Sequence, residues 1–398
     1  MRTRFAASIV AMVVSVLVVA PAALAMGTIV HVGPEDGVLV GISDDGRYVA
    51  VRGASSVQRY DLVAGGSVSV PLPQITTMSG DGKTFWWPDG YVVRRASLTG
   101  ASVIVVPRSP EYWMWEKVST NATGTVVGLV GFNGAYAATS AFVWEVATKK
   151  LTRLSPSATR IANWVTVSAS GRYVSYYSQI EPGGSSRGGC LYVRDLSTGI
   201  TSVVSLNTAG KRSTTGYYRH PVISGDGRKV AFLSDATDLV AGATTRVWRL
   251  YLRNLDTRTT TLLTANLTAP SSYWPDLAID GSGSRVVFYR LAPISTGGNS
   301  LQAFVLDVAT RAEFRLATGL GGVNPNGPTG AADLAATGRV AFESHASNLV
   351  SSHLTGCSPE RSSRQRAPRR AVVGGRGQAR IAARVLPMTS ASGCRRGM

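Results

Sequence analysis

The sequence predicts an all-β chain folded as a β-propeller, and three observations carry that reading. One short hairpin signature recurs seven times along the 398 residues. Its turn glycines are Gly46, Gly82, Gly124, Gly171, Gly227, Gly283 and Gly338, spaced by 36, 42, 47, 56, 56 and 55 residues. Self-similar four-stranded units of roughly 40–50 residues are the signature of propeller blades. With 43 glycines and 16% charged residues, the chain has turns and apolar strand positions in the proportion such a fold needs.

The clearest copy of the hairpin is Ser224-Gly225-Asp226-Gly227-Arg228, between the apolar run that ends at Val222-Ile223 and the run Val230-Ala231-Phe232-Leu233-Ser234. Glycine and aspartate tolerate the positive φ that a tight hairpin turn requires, and β-branched and aromatic residues suit the strand that follows. Further copies start at Ser43, Ser79, Ser168 and Asp280, and looser ones lie at Thr120–Gly124 and Ala336–Phe342.

Each repeat reads as four strands, a to d. In the fifth, these are Arg219–Ser224, Arg228–Ser234, Arg249–Leu255 and Thr259–Thr264, with a long b–c loop over Asp235–Trp248. The fourth follows the same plan, with Asn163–Ser168, Arg172–Ser178, Cys190–Leu196 and Ile200–Ser205, and its b–c loop is Gln179–Gly189. The sixth has Trp274–Ile279, Arg285–Arg290, Gln302–Val308 and Ala312–Ala317 around a loop over Leu291–Ser300. The first three repeats are shorter versions. The seventh opens normally at Ala331–Leu334 and Arg339–Ser344, then loses the pattern. The expectation is therefore seven blades with the last truncated, six being the alternative. Thr28–Val32 is a short strand placed to complete the last blade, since closed rings protect their sheet edges.

The two ends differ from this body. Residues 1–25 carry Arg2 and Arg4, an apolar run over Ile9–Val19 and Ala23-Leu24-Ala25, the pattern of a cleaved signal peptide. A retained anchor is the competing reading. Residues 26–350 form the propeller. Residues 351–398 hold ten arginines against one acid, Glu360, and no aromatic residue. This tail is either a disordered basic extension or an out-of-frame product that displaced the lost strands. The tail and leader account for much of the formal charge of +18, so the body is only mildly basic. That excludes a clustered nucleic-acid footprint. Cys190 is the body's one cysteine, which excludes an internal disulfide framework there.

The run Ser224–Ser234, the later Leu191-Tyr192-Val193-Arg194-Asp195-Leu196, and Ser234–Val240 with its echo at Ser344–Val350 resemble the TolB-like, WD40-like β-propeller family, in a branch found in exported bacterial proteins. The resemblance covers residues 28–350. It implies that a–b and c–d turns share one face of the ring, and that b–c loops and d–a connectors share the other. Family members of this kind include envelope proteins that bind other proteins, but the repeats alone do not carry that role over; the expectations for this chain are an exported monomer, without cofactor or metal, that binds protein, peptide or cell-surface polymer.

On the loop-rich face the connectors before strand a are aromatic in four successive repeats. The candidate ligand residues are Tyr112, Trp113 and Trp115; Trp164; Tyr217, Tyr218 and His220; and Tyr273 and Trp274. Aromatic faces give large contact area at low entropic cost, although packing between blades would produce the same repetition. No catalytic residue is assigned. Gly184-Ser185-Ser186-Arg187-Gly188 matches a nucleophile elbow in letters but sits between two strands, so it reads as a flexible loop. The alternative function is a carbohydrate-active hydrolase or lyase, which needs paired carboxylates; Glu111, Glu116, Asp235, Asp238 and Asp276 are the acids that could approach the same mouth.

Overall fold

The computed structural model describes residues 13–18, 30–32, 37–72, 76–108, 112, 114–132, 139–155, 162–179, 189–213, 215–265, 267, 276–319 and 322–349. Among them there is no α-helix; every regular element is a strand in one of seven four-stranded antiparallel sheets. Six sheets are blades of four consecutive strands. Blade 1 is Val38–Ile42, Tyr48–Arg52, Val57–Asp61 and Ser67–Val70. Blade 2 is Thr77–Met78, Thr84–Asp89, Val92–Ser97 and Ser102–Val106. Blade 3 is Met114–Thr120, Val126–Phe132, Thr139–Glu145 and Lys150–Arg153. Blade 4 is Ala162–Val167, Tyr173–Gln179, Gly189–Asp195 and Thr201–Val203. Blade 5 is Tyr218–Ile223, Lys229–Ser234, Arg249–Asn254 and Thr259–Thr264. Blade 6 is Ala278–Ile279, Arg285–Pro293, Asn299–Asp307 and Glu313–Arg315.

The seventh sheet joins the two ends of the chain. Thr329–Leu334 and Arg339–Ser344 supply its first two strands, Val13–Val18 the third and Val30–His31 the outermost. Val13–Val18 pairs along all of Arg339–Ser344, from Val13 opposite Ser344 to Val18 opposite Arg339. Val13–Val18, within the stretch expected as a leader, thus takes the third-strand position. The segment within Thr28–Val32 joins the last blade as expected, as a two-residue strand, Val30–His31, on Val13–Val18.

The recurring turn has a chemical reason. Ser224 Oγ donates to the Asp226 carboxylate at 2.6 Å and accepts the Lys229 N–H at 3.0 Å, while Asp226 also accepts the Arg228 N–H at 2.9 Å. Ser43 and Asp45 repeat this, as do Ser79 and Asp81. The glycine that follows has a left-handed φ, +75° at Gly227. A Cβ there would strike the Tyr173 ring of the preceding blade, so the glycine serves both the turn and the blade-to-blade approach. An ion pair from strand b to the end of strand c also repeats, as Arg47–Asp61, Arg172–Asp195 and Arg228–Asp256. It is solvent-facing and adds little to stability.

Each blade buries its faces against its neighbours. Blades 1 and 2 share a core around Val57, Phe85 and Trp87, blades 2 and 3 one around Trp86 and Leu129, and blades 3 and 4 one around Val143 and Tyr176. Blades 4 and 5 meet at Leu191 and Phe232. A larger core with Phe288, Leu306 and Phe342 joins blades 5, 6 and 7, and Ile42, Val49 and Ala341 join blades 7 and 1. The ring is therefore closed by apolar burial at every seam, the dominant favourable term in folding.

One loop differs from expectation. Leu291–Ser300 is mainly strand: the b and c strands of blade 6 run on in register to Pro293 opposite Asn299, leaving a tight turn at Ile294–Gly298. The apolar Leu291–Ala292 and the paired Leu301 continue the ladder, and Gly297 and Gly298, at φ +92° and +75°, make the turn. By contrast Asp235–Trp248 is a loop. Asp235 accepts the Tyr217 N–H at 2.6 Å, and Arg249 donates to the Thr245 and Val247 carbonyls at 2.8 and 3.2 Å.

Candidate functional site

The innermost strands surround an axial channel with two distinct ends. At the turn end, one small residue per blade faces the axis: Gly80, Ala122, Ala169, Gly225, Gly281 and Ala336, with Asp44 in the equivalent place in blade 1. Backbone bonds link these turns around the ring, among them Asp44 N–H to Gly80 O at 2.6 Å, Ala122 N–H to Ala169 O at 3.0 Å and Asp226 N–H to Gly281 O at 2.9 Å. The cavity at this end is about 200 Å³. Burial, together with the negative charges of Asp333, Asp45 and Asp81, pushes the Asp44 carboxyl up from 3.8 to about 6.

The other end is wider, a cavity of about 470 Å³ beside the d–a connectors. Here a β-bulge re-aims the inner strand in several blades. Two residues, Trp164 and Val165, stand opposite Tyr176 in blade 4, and His220 and Pro221 stand opposite Phe232 in blade 5. Pro221 suits such a position because it has no N–H to leave unpaired. Trp164 and His220 have left-handed φ values of +54° and +50°. The other described non-glycine residues with positive φ, Lys149, Arg258 and Arg311, lie in exposed turns. Bulges and strained backbone of this kind turn side chains toward functional sites.

Four consecutive blades place chemistry at one repeat position. Lys117, Trp164, His220 and Asp276 each lie four residues before the first residue of their turn, Asn121, Ser168, Ser224 and Asp280, and all four line the wide mouth. His220 Nδ1 is 2.6 Å from Asp276 Oδ1, and Lys117 Nζ is 4.0 Å from Asp276 Oδ2. The His220 and Trp164 rings are 5.0 Å apart, and Lys117 Nζ lies 5.9 Å from the centre of the Trp164 ring. Asp276 is open to the channel yet surrounded by protein. Burial pushes its carboxyl up, but the His220 hydrogen bond and the charge of Lys117 prevail and hold it below the ordinary value. An ionised carboxylate only accepts, so His220 Nδ1–H is the donor and Nε2 is left for another partner. On the opposite side Leu39, Ala331 and Ala332 give an apolar wall beside the Asp333 carboxyl.

The other sequence-selected residues divide by burial. Tyr112 and Trp115 are buried against Phe142 in the core between blades 2 and 3. Tyr218 is buried, with its hydroxyl donating to Ser213 Oγ at 2.5 Å. Tyr217 is half-buried beside the Asp235 loop. Trp113, Tyr273, Trp274, Glu111, the Gly184–Gly188 motif and residues 351–398 lie outside the described residues. Of the acids, Glu116 and Asp276 line the mouth. Asp235 and Asp238 instead tie down loops, Asp238 accepting from Ser213 and Thr215. Lys117 was not singled out in the sequence, although its fixed offset from the turn could have found it. Among the described residues no three His, Cys, Asp or Glu side chains converge as a metal site, and no helix is long and apolar enough to cross a membrane.

No protein-family model matches the sequence, and no curated protein is similar to it. Solved structures do resemble the chain. Oligogalacturonate lyase from Vibrio parahaemolyticus is 11% identical with a TM-score of 0.55, over 86% of this chain and 99% of that one. An oligogalacturonate lyase in complex with manganese is 12% identical with a TM-score of 0.51, over 76% and 87%. TolB from Acinetobacter baumannii is 14% identical with a TM-score of 0.45; the match takes in 71% of this chain and 64% of that one, just under two thirds of its length. At these identities the likeness is one of fold: this chain has the propeller architecture, and TolB proteins are among its structural neighbours.

Proposed function

We propose that the protein is an exported, monomeric, non-catalytic propeller that binds a protein, peptide or cell-envelope glycan at the wide mouth of its channel. One observation carries the reading: four successive blades place Lys117, Trp164, His220 and Asp276 at the same repeat position and in mutual contact around a single cavity. A concave site with an apolar wall and a few convergent polar groups is the usual form of a ligand pocket. The buried Tyr112, Trp115 and Tyr218 support the mouth from behind, and Trp164 and His220 meet the ligand. Binding of the full chain to peptide and glycan arrays tests this. Signals that vanish in Trp164→Ala with an unchanged melting temperature support the site; signals indifferent to that change overturn it.

The His220–Asp276 pair favours one alternative, a carbohydrate-active hydrolase or lyase with Glu116 as a further acid. Turnover of an arrayed polymer, lost in His220→Gln, would replace the binding reading. Export predicts cleavage after Ala25, which would remove Val13–Val18 from blade 7 and let the Val30–His31 segment take its place beside Arg339–Ser344. Amino-terminal sequencing of the exported chain checks this, and a chain that still begins at Met1 would defeat it.

A further inference from the structure

The mouth is built to hold a cation, and in the free protein Lys117 holds that place. We infer that the ligand presents a primary ammonium or guanidinium group, as on a lysine or arginine side chain, and that this group displaces the Lys117 ammonium from the face of Trp164 and from Asp276. The inference rests on the mouth being the ligand site, as proposed above.

Three features lead to it. First, the aromatic face and the carboxylate converge on one point: Lys117 Nζ is within cation–π range of Trp164 and at the limit of ion pairing with Asp276 Oδ2. Second, the subsite is more firmly built than its occupant. His220 holds the other Asp276 oxygen at 2.6 Å and packs on Trp164, with both rings aimed by bulges in consecutive blades. The Lys117 side chain, on a flexible stem, reaches Asp276 only at 4.0 Å and the Trp164 ring only at 5.9 Å. Third, the charge balance favours a cation. Glu116, Asp276 and the Asp333 carboxyl line the cavity against Lys117 as the one lysine or arginine, so an anion would meet more carboxyl groups than ammonium groups. A lysine or arginine stem would also lie along the apolar wall of Leu39, Ala331 and Ala332, burying its methylenes while the charged head reaches Asp276.

Titration of the full chain with N-acetyl-lysine methylamide, N-acetyl-arginine methylamide and the uncharged N-acetyl-norleucine methylamide tests the inference. In Lys117→Met, whose side chain leaves the subsite empty of charge, the two cationic probes are expected to bind about tenfold tighter than to the native chain, with norleucine unchanged. Asp276→Asn in that background should remove the gain. Equal gains for all three probes, or none for the cations, would overturn the cation subsite. The array result with Trp164→Ala reads the site itself separately: array binding that still depends on Trp164 while the cationic probes gain nothing leaves the mouth as the ligand site and removes only its charge preference.

Discussion

Blades 5 and 7 carry nearly the same inner sequence and are completed in opposite ways. Val230-Ala231-Phe232-Leu233-Ser234 and Val340-Ala341-Phe342-Glu343-Ser344 occupy the same strand. In both, the last serine caps the loop that follows, accepting the N–H of Ala236 or Ala346. Blade 5 then takes its third strand, Arg249–Asn254, from the next stretch of chain. Blade 7 takes Val13–Val18 from the far end. The one change within these five residues, Leu233 to Glu343, falls where blade 7 must catch blade 1. Glu343 accepts the Leu39 N–H of blade 1 at 2.6 Å and the Ala331 N–H of its own bulge at 3.2 Å. Asp333, which replaces Val222 of blade 5 in the repeat, accepts the Ile42 N–H at 2.9 Å. The closing seam thus sets carboxylates against backbone donors, one in its own bulge and two on the innermost strand of blade 1, where blade 5 has apolar Leu233 and Val222. Burial raises both carboxyls above their ordinary values.

The largest expected effect comes from the phenylalanines that the two blades share. Phe232 and Phe342 are both fully buried. Phe232→Ala is expected to cost about 3–5 kcal/mol in urea unfolding. Phe342→Ala should match it if the borrowed strand completes blade 7 as well as a contiguous one completes blade 5. A cost below half that value would show that the end-joined blade is loosely packed. Next is Glu343→Leu, which gives blade 7 the residue of blade 5. Leaving the Leu39 and Ala331 N–H groups unpaired should destabilise by about 1–3 kcal/mol, whereas a neutral or stabilising result would show that the seam is held by apolar contact alone.

The same seam sets a pH dependence. Because Asp44 titrates at about 6 when folded and at 3.8 ordinarily, the folded chain keeps a proton that the unfolded chain has released. The stabilisation is complete below about pH 4 and is lost as pH rises through 6, by on the order of 1–3 kcal/mol. Urea midpoints between pH 4.5 and 7.5 should fall for the native chain and fall less steeply for Asp44→Asn, in which Asp333 and Glu343 remain; parallel curves would refute the assignment. The smallest difference is at the turns. Gly227→Ala forces a Cβ into the Tyr173 ring, but at Gly338 the obstacle is the mobile end of Arg285. Both pay for the left-handed backbone, and Gly227→Ala should lower the melting temperature further than Gly338→Ala.

Much of this architecture was legible before any coordinates. The Ser224–Asp226–Gly227 turn can be read from residue chemistry alone, because its hydrogen bonds are local. The b strand of blade 7 and the d strand of blade 5 run over the residues expected, Arg339–Ser344 and Thr259–Thr264. The blade 6 hairpin is not legible in the sequence, because Leu291 and Pro293 carry no signal that separates a loop from an extended ladder. The candidate aromatics were visible as a set. Their division into Tyr218, which packs inward, and Trp164, which lines the channel, was not, since a bulge reverses which way a strand residue faces.

Local chemistry therefore wrote the repeat: turn, strand, turn, seven times, each unit too small to bury its own faces. What no single repeat could announce was which residues from different blades would meet. Lys117 and Asp276 are 159 positions apart in the chain and touch only because the blades curl around one axis, and Val13–Val18 finds Arg339–Ser344 only because the ring closes. Contacts within a hairpin cost little chain entropy and leave their mark in neighbouring letters. Contacts across the ring form only after the loops between them have been closed, so they leave no such mark.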